Sequence, residues 1–108
     1  MEYVKAHGIV AESVYSYTGS EGYCWINYGA YQLANVKTIQ NAGDCGALRT
    51  AVRNAPVVVS ISSTGWSGYS SGVFACDGSP TVNHAAVLVG YTPELNWIIK
   101  NSWGRSWG

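Results

Sequence analysis

The chain has 108 residues, six basic and six acidic side chains for a formal net charge of zero, and 47% apolar residues. That length suits one domain with a packed core, and the composition excludes a disordered chain. The balanced charge supplies no field for a polyanion or an anionic surface, so neither nucleic acid nor a membrane is expected as a partner.

The first segment, "MEYVKAHGIV", reads as the last turns of a helix: Tyr3, Val4 and His7 share a face, and Gly8 can take the left-handed conformation that ends one. It carries no hydrophobic signal core. From "ESVYSYTGSEGYCWINYGAY" onward Gly, Ser and Tyr mix without a period, which predicts a long tyrosine-rich loop.

"ANVKTIQ" follows, with Val36, Thr38 and Gln40 alternating against Lys37 and Ile39, and its branched residues favour a strand. In "GDCGALRTAVRNA" Asp44 stands as N-cap, Leu48, Ala51 and Val52 fall at helical spacing, and Pro56 closes the helix. "PVVVSIS", "NHAAVLVGY" and "NWIIKNS" then read as buried strands, the first two joined across a Gly/Ser-rich connection between residues 64 and 81. Within that connection Gly65 to Gly72 is a loop with aromatic anchors, not a flexible linker. No apolar run is long enough to span a bilayer, and the longest is "HAAVLVGY".

The three cysteines, Cys24, Cys45 and Cys76, are an odd count with no C-x-x-C pair, so either one thiol is free or a bond leaves the chain. No two potential ligands share a short spacing, and no metal or other cofactor is expected.

His84 opens one hydrophobic strand and Asn101 ends the next, across a turn at "TPELN". Antiparallel pairing brings two such positions together. An imidazole that shuttles protons needs its ring fixed at the nitrogen facing away from the reaction, and an amide oxygen can fix it. Trp103, two residues on, is placed to cover the pair and keep water from competing for the bond. On spacing alone a structural reading also stands, with His84 capping a strand and "NSWG" a tight turn that packs its Trp.

"NHAAVLVGY" followed by "NWIIKNSWGRSWG" closely resembles the His and Asn motifs of the papain-like cysteine peptidases, the cathepsin L and papain type. Upstream, "EYVKAHGIVAESVYSYTGSEGYC" is similar to that family's helix, Y-P-Y block and cysteine, and "PVVVSIS" to its substrate-lining strand. The resemblance implies an α+β papain-like fold in which this chain is the right-hand, antiparallel β-barrel-like domain with a short helix. The helical nucleophile domain is then lacking, and residues 1–108 are one partial domain truncated at both ends.

By the same resemblance His84 corresponds to the catalytic histidine, Asn101 to the asparagine that orients it, and Trp103 to the tryptophan that shields their bond. Val82, Asn83, Ala85 and Ser60 fall where the family lines its cleft, with Val82 and Ser60 near the pocket for the second residue before the scissile bond. The implied substrate is a peptide or protein, and the implied partner is the missing N-terminal helical half. The implied location is a lysosome, a vacuole or the cell exterior, which suits disulfide chemistry.

Cys24 precedes Trp25 as the family's nucleophile precedes a Trp, yet the family places His and Asn roughly 130 to 150 residues downstream of that nucleophile. His84 stands only 60 positions after Cys24. The approach "YTGSEGYCW" also lacks the C-G-S-C-W run and the glutamine for an oxyanion hole. Cys24 aligns instead with a family cysteine that forms a disulfide to the other half, and Cys76 with one whose partner lies beyond Gly108. Cys45 does not fit the family's set, which leaves a local Cys45–Cys76 bond as one option.

The expected function is therefore part of a Cys-His-Asn endopeptidase, inactive alone because its nucleophile lies outside the chain. Two alternatives remain at this point. One is a non-catalytic homologue that binds or templates a ligand, its nucleophile position held by Ser or Gly. The other is a small stand-alone domain that associates through the face where the helical half would dock.

Overall fold

The computed structural model describes residues 1–39, 43–76, 78 and 81–108. The chain divides into two compact units, Met1–Gln40 and Asn41–Gly108.

In the first unit, helix α1 (Glu2–His7) ends as its sequence predicts, with Gly8 at a φ of 77° and its N–H donating to the Val4 carbonyl at 2.9 Å. Past the helix, Gly29 N–H donates to the His7 carbonyl at 2.8 Å, and Ile9 and Tyr31 form an antiparallel bridge. A side chain on Gly8 would strike the Gly29 carbonyl, and one on Gly29 would strike the backbone of Ile9. Two glycines are thus needed for this backbone crossing.

Residues 11–28 form no helix or strand, in line with the predicted loop. Tyr15 packs on Trp25 with ring centroids 5.2 Å apart and donates its hydroxyl to the Tyr23 carbonyl at 3.3 Å. Glu12 Oε1 accepts from the Tyr17 N–H at 2.8 Å.

The strand predicted over 34–40 does not form among its described residues, and Gln40 lies outside them. Val36 and Ile39 are half-buried without a ladder beside them. They are three residues apart, so their burial does not follow the predicted alternation, and a strand exists only where a partner supplies hydrogen bonds.

The second unit opens with helix α2 (Cys45–Val52), capped by Asp44, whose carboxylate accepts from the Ala47 N–H at 2.9 Å. It stops at Val52, and turn residues 53–55 separate it from Pro56. Strands β1 (Val57–Ile61), β2 (His84–Tyr91) and β3 (Trp97–Lys100) form one antiparallel sheet in the order β1-β2-β3.

The register pairs Val57 with Leu88, Val59 with Ala86 and Ile61 with His84, so these residues share one face of the sheet. Helix α2 packs on β2. The buried apolar residues of the unit are Val52, Ala86 and Leu88. A bulge between Leu88 and Gly90 re-phases β2 against β3, returning Tyr91 to the Leu88 face opposite Trp97. There Arg53 Nε donates to the Tyr91 hydroxyl at 2.7 Å, tying the end of α2 to the end of β2.

The predicted turn at "TPELN" is present. Thr92 N–H donates to the Asn96 carbonyl at 2.8 Å, and Leu95 takes a φ of 68°, which for a branched side chain costs about 1 kcal/mol or more. The opposite face of the sheet carries Val58 and Ile98, 50% and 46% exposed, with Ser60, Ala85 and Lys100.

Candidate functional site

The β1–β2–β3 register brings the first residue of β2 beside the residue that follows β3, and there His84 meets Asn101. His84 Nε2 lies 2.9 Å from Asn101 Oδ1. The same oxygen accepts from the Ser102 backbone N–H at 2.8 Å.

A backbone N–H can only donate, so the atom facing both groups is the amide oxygen and not the amide nitrogen. It follows that Nε2 carries the proton in the pair. In the neutral ring Nδ1 then keeps its lone pair, free to take or, once protonated, to give a proton. Asn101 Nδ2 and Trp66 Nε1 are buried atoms with no acceptor among the described residues, each a cost of about 1–3 kcal/mol if it stays unpaired.

Aromatic rings close around the pair. Trp103 lies with its ring centroid 5.2 Å from that of His84, at 47°. Trp66, on the 3-10 turn Trp66–Gly68, presents an edge-to-face contact to His84 at 6.1 Å and 76°. Trp107 stacks on Trp66 at 6.1 Å, meets Trp103 at 5.3 Å, and donates its indole N–H to the Trp66 carbonyl at 2.9 Å. Tyr69 and Phe74 extend the cluster outward. Such a wall lowers the local dielectric and strengthens the hydrogen bond it covers. Trp103 remains 41% exposed, so one side of it faces solvent.

Sequence reasoning placed His84, Asn101 and Trp103 together, and they are together. It left Trp66 as an unassigned aromatic anchor and gave Trp107 no role; the available signal was a lone Trp inside a Gly/Ser-rich connection that begins at the end of β1.

Of the cleft-lining candidates, Ser60 and Ala85 are register partners on the open face, both exposed, and Val82 is 63% exposed just before β2. Asn83 behaves differently. Its Oδ1 accepts from both the N–H and the hydroxyl of Ser63, at 2.9 and 3.0 Å, while the residue as a whole stays exposed.

The local Cys45–Cys76 bond does not form. All three cysteines are free and exposed, with Cys45 held as the first residue of α2 by the Asp44 cap. Cys24 belongs to the first unit, where its thiol lies 3.2 Å from the Ile26 carbonyl. Among the described residues no group of three or more His, Cys, Asp or Glu side chains could hold a metal ion, and no helix is long and apolar enough to cross a membrane.

A short helix against an antiparallel sheet, with a histidine at the start of one strand bonded to an asparagine after the next, defines an α+β papain-like C-terminal portion. Comparisons agree. The profile of the papain family cysteine proteases matches residues 1–108, and the chain belongs to that family. Vignain of Vigna mungo is 38% identical over 117 residues, covering 99% of this chain and 32% of that protein. A putative cathepsin L 3 of Paramecium tetraurelia is 33% identical over 109 residues, covering 100% of this chain and 35% of that protein. The structure of the bromelain protease from Ananas comosus, in complex with the E64 inhibitor, matches with a TM-score of 0.83 at 25% identity, over 99% of this chain and 53% of that one. The chain therefore spans well under two thirds of the length of these relatives.

Proposed function

We propose that residues 1–108 are the His/Asn portion of a papain-family cysteine endopeptidase, truncated at both ends, whose nucleophilic cysteine lies on a helical segment outside this chain. The observation that carries the reading is the 2.9 Å bond between His84 Nε2 and Asn101 Oδ1, with the oxygen's identity fixed by Ser102. It leaves Nδ1 as the working nitrogen.

In the assembled enzyme a cysteine thiol held at Nδ1 gives its proton to His84, and the imidazolium beside it keeps the sulfur ionised. The thiolate attacks the peptide carbonyl carbon. As the C–N bond breaks, the Nδ1 proton passes to the leaving amine, and the acyl group stays on sulfur as a thioester. Neutral His84 then takes a proton from water, the resulting hydroxide equivalent attacks the thioester, and the thiolate departs with the imidazolium restored. Asn101 holds the ring through both steps, and Trp103 and Trp66 keep water from its bond.

On the substrate side, the small residues Ser60 and Ala85, paired across β1 and β2, leave room above the sheet near Val82 for an apolar side chain at the second position before the scissile bond. Cys24 and Cys76 take disulfide partners outside the chain in this reading, and the enzyme works in an acidic vesicle or outside the cell.

The 108 residues alone are expected to hydrolyse no peptide, because a base without a nucleophile cannot follow the covalent route. A panel of fluorogenic peptides incubated with the purified chain tests this: no turnover is expected, and turnover that disappears with His84→Ala would overturn the reading.

A further inference from the structure

We infer that Asn83 and Ser63 are positioning residues for His84, acting through Trp66. The role of His84 as the proton carrier rests on the function proposed above, but the device that holds its ring is independent of it.

The contacts form a closed circuit. The Asn83 N–H donates to the Ile61 carbonyl at 3.1 Å, carrying the β1–β2 ladder one step beyond the Ile61–His84 pair. Its side-chain oxygen accepts from the Ser63 N–H at 2.9 Å and the Ser63 hydroxyl at 3.0 Å. Ser63 in turn gives its carbonyl to the Trp66 N–H at 3.0 Å, which starts the Trp66–Gly68 turn. That turn sets the Trp66 ring edge-to-face with His84. The residue before His84 thus holds the loop that supports the ring of His84.

The support matters because a single hydrogen bond at Nε2 leaves an imidazole free to swing about its side-chain torsions. Two aromatic contacts at different inclinations, 47° from Trp103 and 76° from Trp66, block that swing. Trp103 follows Asn101 closely in sequence and is placed by the end of β3. Trp66 has no such anchor, and its position depends on the Ser63 turn and on Trp107, whose indole donates to its carbonyl. The identity of Asn83 Oδ1 is secure, since a backbone N–H points at it. With both donors of Ser63 on that oxygen, Asn83 and Ser63 act as one unit.

The test is the exchange of the His84 Nε2 proton, read by nuclear magnetic resonance on the nitrogen-15-labelled 108-residue chain. His7 is the other histidine, packed on Tyr3 in the first unit, and serves as an internal reference. Exchange requires the His84–Asn101 bond to open, and a ring freed of one wall opens more often.

Asn83→Ala is expected to raise the His84 rate about tenfold, the worth of one or two lost hydrogen bonds, with His7 unchanged. Asn83→Asp keeps the acceptor oxygen and returns the rate toward that of the unaltered chain, a rescue that a general loss of stability would not show. Ser63→Ala keeps the backbone donor and gives a smaller rise, and it stands as the second variant should Asn83→Ala lose the amide signals of Ala86 and Leu88. An unchanged His84 rate in the folded variants, or a rise that Asn83→Asp does not reverse, overturns the inference. No peptidase activity enters this readout, so a wrong functional reading fails at His84→Ala turnover and leaves the exchange result standing.

Discussion

Replacing His84 with alanine in the assembled protease, this chain together with the helical portion that carries the nucleophile, is expected to lower kcat/KM for a peptide substrate by about 10⁴-fold. The reason is that in the proposed function one ring serves as proton acceptor for the thiol, donor to the leaving amine and acceptor from water. Removing it disables all three at once. The loss should fall on kcat, because in the proposed mechanism His84 acts on the reacting atoms and is no part of the side-chain pocket proposed over Ser60 and Ala85. Steady-state kinetics with a fluorogenic peptide make the check. A fall in activity of less than about tenfold, or one confined to KM, would remove His84 from the proton path.

The largest effect on stability is expected at Leu88, the most deeply buried large side chain at 1% exposure. It sits at the centre of β2, opposite Val57 on β1 and Ile99 on β3, so both flanking strands bring a side chain beside it. Leu88→Ala should cost about 3 kcal/mol, through lost transfer energy and the cavity left in a small core that has few side chains able to move in. For a unit of this size that lowers the melting temperature by roughly 10 to 20 °C. Val89→Ala is the control: it removes methyl groups one position along, from the bulge residue that is 43% exposed, and should change stability by no more than about 0.5 kcal/mol. Urea unfolding followed by tryptophan fluorescence distinguishes them. Equal costs at the two positions would mean that β2 does not carry the core on the Leu88 face.

The elements that the sequence announced are those with local signals. Asp44 capped its helix because a carboxylate three residues before a helical N–H needs nothing distant to work. The branched runs around Val59 and Leu88 became strands because each is long enough, and apolar enough, to require a partner. The turn between β2 and β3 announced a hairpin, but the register that puts His84 and Asn101 on one face comes from the bulge between Leu88 and Gly90, so their pairing was legible from the resemblance of the two motifs and not from the turn alone.

What failed depended on long-range partners. "ANVKTI" has the alternation of a strand, yet its half-buried residues, Val36 and Ile39, fall on the two opposite sets of that alternation, and alternation says nothing of whether another strand lies alongside. The bonds of the Asn83 side chain to Ser63, 20 positions earlier, likewise had no signal near Asn83 itself. Trp66 escaped for the same reason: its approach to His84 is set by the β1–β2 register and by the turn after Ser63, neither of which leaves a mark near the Trp itself. Cys45 and Cys76 illustrate a further limit, since thiol spacing carries no information on geometry.

The measurement that bears most directly on the central claim is the coding sequence upstream of Met1, read for at least the length of a helical domain. A glutamine followed shortly by C-G-S-C-W, roughly 130 to 150 residues before His84, is the predicted result and would supply the thiolate that Nδ1 of His84 is oriented to meet. Serine or glycine at that cysteine's position, or a genuine start at Met1, would contradict it and leave the His84–Asn101 pair in a homologue without peptidase chemistry.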